Sequence, residues 1–205
     1  MKKLENIFEN IAEDLDKYTE IREEILNLQR KIISDCSIAI KNIHREEYDN
    51  YHRKIDMIEN NLADLHEMVN QKPGIFFKYL KTAEQEYTEA VCFYSIVNEK
   101  EIPTKDQLDV YSLHYATGMA DIIGELRRYV LDNIRNSNVS QLNKMLEIMD
   151  EIYTYLFSLD YPSGLTKDLR HKTDIARKLI EKTRGDISLT MQMNELKDFL
   201  KTKKG

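Results

Sequence analysis

Apolar residues recur at three- and four-residue steps along almost the whole chain, which is the periodicity of amphipathic helices. The longest run extends from Lys2 to roughly His44 with no internal Gly or Pro, and a second helical pattern covers residues 46 to 70. The next segment, Gln71 to Lys100, opens with Pro73 and Gly74, and its pattern predicts one amphipathic helix from there onward. The first half of the chain is therefore predicted to be helical throughout.

The second half continues the helical pattern between short polar breaks. Thr104 and Gln107 have the spacing of a capping box at a helix start. No segment shows the two-residue period of a strand, so we predict an all-α protein of about seven helices. These helices would form a single antiparallel bundle-like domain over residues 1–205, with a long N-terminal helix. The predicted elements are a connector at 101–109, a helix over 110–136, a turn at 137–140, a helix near 142–157, a loop at 160–164, a helix from Thr166 to Gly185 and a last helix over roughly 187–200.

Composition supports a folded helical protein and leaves its partner open. Of 205 residues, 41% are hydrophobic and 32% charged, with only six Gly and three Pro. The formal net charge of −6 argues against a nucleic-acid binder, whose surface is usually basic. Any nucleic-acid surface must therefore come from a local cluster of lysine and arginine.

Cysteine usage and the N-terminal residues predict a cytoplasmic protein. Cys36 and Cys92 lie far apart in helix interiors, which favours reduced, packed thiols over a disulfide or a zinc site. No apolar run is long enough to span a membrane, and the first residues do not resemble a secretory signal.

Two glutamates interrupt an apolar stripe of the predicted third helix. Glu86 and Glu89, spaced i and i+3, stand where the pattern calls for hydrophobic residues, whereas Glu84 is assigned to the solvent face. A buried carboxylate is costly unless it is paired or binds a cation. The helix over 110–136 repeats the arrangement, with Asp121 and Glu125 at i and i+4 in a narrow polar strip.

These four acids have two possible interpretations, one structural and one functional. As structural residues they would form internal salt bridges, for example with Arg127, Arg128 or Lys78. As a site they would share a cation, because clustered carboxylates repel one another unless a cation keeps them ionised. An all-oxygen ligand set favours Mg²⁺ or Mn²⁺. A di-iron site is rejected, since neither helix carries the Glu-x-x-His pattern which that chemistry requires.

The sequence resembles the translin superfamily over almost its whole length. The resemblance rests on Glu86-Tyr87-Thr88-Glu89-Ala90-Val91, followed by Gly118-x-Ala120-Asp121-x-x-Gly124-Glu125-Leu126. Ile21-Arg22-Glu23-Glu24-Ile25 and Thr183-Arg184-Gly185 add to it. The pattern is most similar to the translin-associated factor X branch, and to a single-gene archaeal type of member.

The resemblance implies a metal-dependent endoribonuclease that cleaves single-stranded RNA inside a hollow homo-oligomer, an octamer. Glu86, Glu89, Asp121 and Glu125 would be catalytic. Glu89, Asp121 and Glu125 would bind Mg²⁺ or Mn²⁺, while Glu86 would bind a second ion or orient the attacking water. His114 departs from the family, whose members tend to carry an acid there, and ordinary polar packing is its favoured role.

The candidate nucleic-acid contacts are cationic side chains outside the acidic set. Lys78 is placed two turns before Glu86, and Lys178 and Lys182 form a stripe without acids that is equally consistent with a solvated face. Arg128 is either a phosphate contact or the partner of Glu125. Two other functions stay open: a non-catalytic protein of translin type that binds single-stranded DNA or RNA, and a purely structural helical oligomer.

Overall fold

A computed structural model describes residues 2–134, 139–166 and 168–202, so part of the predicted turn at 137–140 and Lys167 lie outside the described residues. The described residues are helical with no strand, which confirms the all-α prediction. In this part of the chain no helix is both long and apolar enough to cross a bilayer. The helices are α1 (Lys2–His44), α2 (Tyr48–Asn70), α3 (Pro73–Phe76), a 3-10 turn (Phe77–Tyr79), α4 (Leu80–Val97), α5 (Ser112–Asn133), α6 (Val139–Ser158), α7 (Ser163–Thr166) and α8 (Leu169–Thr202).

The chain forms two compact units, residues 1–90 and residues 91–205, and the boundary falls inside α4. Each unit has its own buried apolar side chains. The single domain over residues 1–205 stays a prediction.

In the first unit, α1 and α2 form an antiparallel hairpin. Lys31 on α1 donates to Asn61 on α2 (3.1 Å), and nearer the turn Lys54 on α2 donates to Asp35 on α1 (3.0 Å). Because α1 exceeds α2 in length, its N-terminal turns extend past the residues that face the hairpin. The core between the helices contains Ile25, Ile32, Ile43, Ile58, Leu65 and Val69, all fully buried.

In the second unit, α5, α6 and α8 pack on one another, and α7 lies against α8. Arg127 on α5 contacts Asp186 on α8 (2.9 Å), whereas Asp121, earlier on α5, contacts Lys172, earlier on α8 (2.5 Å). Helices α5 and α8 therefore run in the same direction. Arg184 on α8 pairs with Asp150 on α6 (2.7 Å).

Three segments end on a left-handed residue that is not glycine. Glu46, Glu99 and Asp109 have φ of 59°, 53° and 51°. In each case the next amide donates to a carbonyl five residues earlier, the pattern of a Schellman cap. These bonds run from Glu47 to Asn42 (2.9 Å), from Lys100 to Ser95 (2.8 Å) and from Val110 to Lys105 (3.1 Å).

The two hydrogen bonds of the predicted capping box form, but in a turn over 105–109 and not at the start of α5, and the structure also corrects two helix boundaries. The Thr104 amide donates to Gln107 Oε1 (2.8 Å), and the Gln107 amide donates to Thr104 Oγ1 (3.2 Å). The predicted helix over 75–100 is interrupted by the 3-10 turn before α4, although Phe76, Leu80, Ala83 and Tyr87 are buried at helical spacing across that turn. The predicted helix end at Gly185 was also wrong, because α8 continues through it to Thr202.

Candidate catalytic carboxylates

Helix α4 places Glu86 and Glu89 on the side that faces α1. Glu89 is 8% exposed and Glu86 is half-buried. Both carboxylates act electrostatically on the Cys36 thiol, which is fully buried on α1. Burial raises the pKa of Cys36 well above its ordinary value, and the negative charges of Glu86 and then Glu89 raise this pKa further. The two acids therefore share one partly buried environment, as their spacing predicts.

The opposite side of α4 faces α2 and corrects the assignment of Glu84 to solvent. Glu84 is fully buried, and its Oε1 lies 2.8 Å from His66 Nε2 on α2. One turn later the Tyr87 hydroxyl donates to Glu59, also on α2 (2.8 Å). Gln85 and Thr88, polar residues of the same helix, are buried as well. In the sequence, the signal for this buried acid was His66, which lies beside the apolar stripe of α2.

Asp121 on α5 is half-buried, and its carboxylate contacts a lysine of α8. Lys172 Nζ on α8 lies 2.5 and 2.6 Å from the two carboxylate oxygens of Asp121. Sequence reasoning missed Lys172, although it lies three residues after buried Leu169 and four before buried Ala176. That spacing places Lys172 beside the buried stripe of α8, which was the available signal.

Glu125 is half-buried and has an arginine one turn later. Arg128 lies 3.6 Å from Glu125 and 3.8 Å from Asp132, and half of the Arg128 side chain is exposed. The pairing agrees with the structural alternative for Arg128. Arg127, by contrast, contacts Thr183 (3.0 Å) and Asp186 (2.9 Å) on α8, so its predicted pairing with the acids has no support.

His114 packs as expected for a polar core residue. It is 5% exposed, and its ring stands edge-on to Tyr111 with centroids 5.7 Å apart. Thr117 and Gly118 on the same helix are also buried. The geometry agrees with the packing role that the sequence favoured.

The candidate nucleic-acid contacts are exposed, but one is misplaced in the sequence prediction. Lys178 and Lys182 lie on the exposed side of α8. Lys78 is exposed in the 3-10 turn, with its ammonium 5.1 Å from the Tyr79 ring centroid. Because that turn interrupts the helix, Lys78 does not share a continuous helical face with Glu86 as predicted.

Carboxylate oxygens, which all four acids supply, are the donors that Mg²⁺ and Mn²⁺ prefer. Glu86 with Glu89, and Asp121 with Glu125, each supply two carboxylates at neighbouring positions of one helix. Over residues 2–134, 139–166 and 168–202, no group of three or more His, Cys, Asp or Glu side chains is arranged to hold a metal ion.

Known proteins resemble the chain over most of its length. An uncharacterised protein of Methanocaldococcus jannaschii is 36% identical over 183 residues, which is 88% of this chain and 81% of that protein. The translin-associated protein X homologue of Schizosaccharomyces pombe is 23% identical over 197 residues, 85% of this chain and 81% of its own length. No family model matches the chain.

Solved structures agree in fold. A complex of AfC3PO with duplex RNA superposes with a TM-score of 0.80 at 28% identity, and the match covers 91% of this chain and 97% of that one. The apo-NeC3PO structure gives a TM-score of 0.81 at 24% identity over 89% of this chain and 96% of its own, which is a likeness of fold.

The helical fold and these relatives define an all-α protein of C3PO and translin type. The chain belongs to the translin superfamily and is related to translin-associated factor X, as its sequence predicts.

Proposed function

We propose that this protein is a metal-dependent endoribonuclease that binds and cleaves single-stranded RNA inside a hollow homo-oligomer, an octamer. Glu86, Glu89, Asp121 and Glu125 are the proposed catalytic acids. Glu89, Asp121 and Glu125 are the proposed ligands of Mg²⁺ or Mn²⁺, and Glu86 binds a second ion or orients the attacking water.

The observation that carries the proposal is the environment of Glu89. Its carboxylate is 8% exposed on α4 and shares this side of the helix with the carboxylate of Glu86. Two acids in a partly buried setting are expensive for a protein to keep ionised. A catalytic site that needs a cation supplies a reason to keep them.

A bound divalent cation would polarise the scissile phosphate and lower the pKa of a water molecule that attacks phosphorus. The residues of the chain would hold and orient the participants. Lys172 fixes the side chain of Asp121 through both carboxylate oxygens, so Asp121 is held in one orientation. Arg128 holds Glu125 more loosely, since its nitrogen lies 3.6 Å away and half of its side chain is in solvent.

RNA as the substrate rests on the relatives and on exposed cations. AfC3PO has been solved with duplex RNA, and this chain resembles it over 91% of its length. Lys78, Lys178, Lys182 and Arg128 are exposed and could bind phosphates despite the net charge of −6. Because the relative is solved with a duplex, substrate strandedness is part of the test.

Self-assembly rests on exposed apolar surface. Large apolar side chains are exposed in the first turns of α1 and in the last turns of α8, among them Leu4, Phe8, Leu196 and Phe199. Exposed apolar patches, such as each of these helix ends presents, mark interaction sites in soluble proteins. A homo-oligomer would cover it.

The second candidate function is that of a non-catalytic protein of translin type, which binds single-stranded DNA or RNA. Both Asp121 and Glu125 already have a cationic neighbour within the chain, which is what a purely structural role for these two acids predicts. Binding without cleavage would then be the activity of the protein.

The double variant Glu89→Ala/Asp121→Ala tests the enzyme. We expect cleavage of a labelled RNA in Mg²⁺ to fall by at least about 10²–10³-fold, because the acids stabilise charge that develops in the transition state. Binding measured in EDTA should not weaken, since removing a carboxylate near a polyanion removes a repulsion. The same RNA is supplied as a single strand and as a duplex.

Glu181→Ala is the matched control, because Glu181 is an exposed acid on α8 and its loss should leave cleavage unchanged. Full cleavage by the double variant would leave only the binding protein, with any nuclease a contaminant. Loss of cleavage together with loss of oligomer assembly would support the structural role of the acids.

A further inference from the structure

The first four turns of α1 have no packing partner among the described residues. Every residue from 3 to 17 is exposed. Their apolar side chains nevertheless follow a regular pattern. Leu4, Phe8, Ile11 and Leu15 are 62%, 66%, 47% and 57% exposed and follow one another at steps of four, three and four residues. This spacing is the a/d seam of a coiled coil.

A helix of this length is marginal in water without tertiary contacts. Four large apolar side chains on one stripe also expose on the order of several hundred Å², as much as the largest patch on an ordinary monomer. The polar face of the segment is acidic, with Glu9, Glu13 and Asp16, which disfavours an anionic membrane as the partner. A protein surface is therefore the better fit.

The same seam continues into the folded part of α1, where the chain itself covers it. Further along the seam, the ring of Tyr18 packs edge-on against Phe76 of α3, with centroids 6.4 Å apart, and the Lys72 ammonium lies 6.0 Å from the Tyr18 ring. Ile25 and Ile32, the later apolar residues of the seam, are fully buried. The uncovered part of the seam thus ends before Tyr18.

We propose that residues 4–15 of α1 pair antiparallel with the same residues of a second copy of this chain. In antiparallel register the layers would be Leu4 with the partner's Leu15 and Phe8 with the partner's Ile11, each formed twice by symmetry. Four layers then use all four uncovered seam residues. This pairing deepens the self-assembly proposed above and does not depend on nuclease activity.

A parallel arrangement fits the same surface less well. It would carry the two seams side by side into the region where α3 already covers Tyr18, and would align Arg22 with the partner's Arg22 at a seam position. In the antiparallel register the flanking contacts are Ile7 with the partner's Asp14 and Glu5 with the partner's Ala12. Neither flanking contact brings like charges together.

Cysteine crosslinking distinguishes the two registers. Cys36 and Cys92 are fully buried, so only cysteines introduced on the exposed part of α1 should react. The full-length variant Leu4→Cys/Leu15→Cys should form an interchain disulfide on mild oxidation and run as a covalent dimer in non-reducing gels. Leu15→Cys alone should not, because in this register the two introduced thiols lie about 16 Å apart along the helix axis.

Asn6→Cys/Glu13→Cys is the matched control. These two positions are level with each other in the same antiparallel register but lie near the opposite face of α1, so this variant should stay monomeric on the gel. Light scattering provides the second readout. Phe8→Lys should lower the mass of the wild-type assembly at least twofold, whereas Asn10→Lys, on the outer face, should not change it.

Three outcomes would overturn the pairing. Efficient dimerisation of Leu15→Cys alone would show a parallel register. A lower mass in Phe8→Lys without a crosslink between positions 4 and 15 would show that α1 packs on another surface of the partner, such as α8. If Phe8→Lys forms an assembly of the same mass as the wild type, the seam is not an interface. If that assembly still cleaves RNA, the proposed function stands although the pairing does not.

Discussion

The acids of α4 and the acids of α5 share a spacing pattern but have different surroundings. On α4, Glu86 and Glu89 face the buried thiol of Cys36, a neutral group whose ionisation they oppose. On α5, Asp121 has the Lys172 ammonium at 2.5 Å and Glu125 has Arg128 at 3.6 Å. The α5 acids thus lie beside cations of the chain, and the α4 acids favour the neutral form of a buried thiol.

The difference shows what a one-helix pattern can predict. Spacing of i and i+3 or i+4 places two carboxylates side by side. The charge that compensates them comes from another helix, and helix-to-helix contacts are not contained in the pattern.

The largest stability effect is expected for Glu84, which lies on α4 with the proposed catalytic acids Glu86 and Glu89 and contacts His66. Glu84→Ala should lower the free energy of unfolding by about 3 kcal/mol, because it truncates a fully buried side chain and leaves His66 without this hydrogen bond. Urea unfolding at neutral pH measures the change. Lys81→Ala, one turn earlier on α4 and not fully buried, is the control and should cost far less.

If Glu84→Ala is no less stable than the control, the buried pair contributes little to the free energy of unfolding. A matching loss in His66→Ala with no further loss in the double variant would confirm that the two side chains act as a unit.

Much of the fold follows from the sequence because helical periodicity is local. The prediction for α1 matches the structure from Lys2 to His44, and the two hydrogen bonds predicted between Thr104 and Gln107 form, although in a turn before α5. The errors arise where tertiary packing overrides a local signal. Gly185 was read as a helix end, but α8 passes through it, and Ile187 beyond it is buried.

The site could be predicted only as far as one helix determines it. Glu86 and Glu89 were found because they interrupt an apolar stripe, and their shared action on Cys36 agrees with that interpretation. Lys172 and His66 were missed because each lies on a different helix from the acid it contacts. Pairing across helices depends on rotation and register, which composition and periodicity leave open.

The two ion pairs of α5 provide the next test. Lys172→Met should destabilise the protein by about 1–3 kcal/mol, because Asp121 would lose a charged hydrogen-bond partner in a half-buried place. Arg128→Gln should cost less than about 1 kcal/mol, since half of its side chain is exposed and the pair is screened. Urea midpoints of the two variants measure this ranking.

Adding Mn²⁺ to the same two variants tests whether Asp121 binds a metal ion. If Asp121 is a ligand, Mn²⁺ should restore part of the stability lost in Lys172→Met, because the ion takes over the role of the ammonium. Equal losses in the two variants, or a loss in Lys172→Met that Mn²⁺ does not change, would count against a special role for Asp121.

The smallest effect is a pKa, and it reports on α4 alone. Glu86 and Glu89 raise the pKa of Cys36 beyond what burial does, so Glu86→Gln/Glu89→Gln should lower this pKa toward its ordinary value of 9.0. Cys92 is the internal control: its pKa is raised to about 12 by burial, opposed by a hydrogen bond with Tyr115, and no acid contributes. The carbon resonances of labelled cysteine, followed against pH, should show a lower midpoint for Cys36 in the variant and an unchanged midpoint for Cys92.

A raised thiol pKa stabilises the fold below pH 9.0, and this contribution is lost as the pH rises above that value. The variant should therefore lose less unfolding free energy than the wild type between neutral and alkaline pH, and equal losses would mean that the two carboxylates do not act on α1 as a pair.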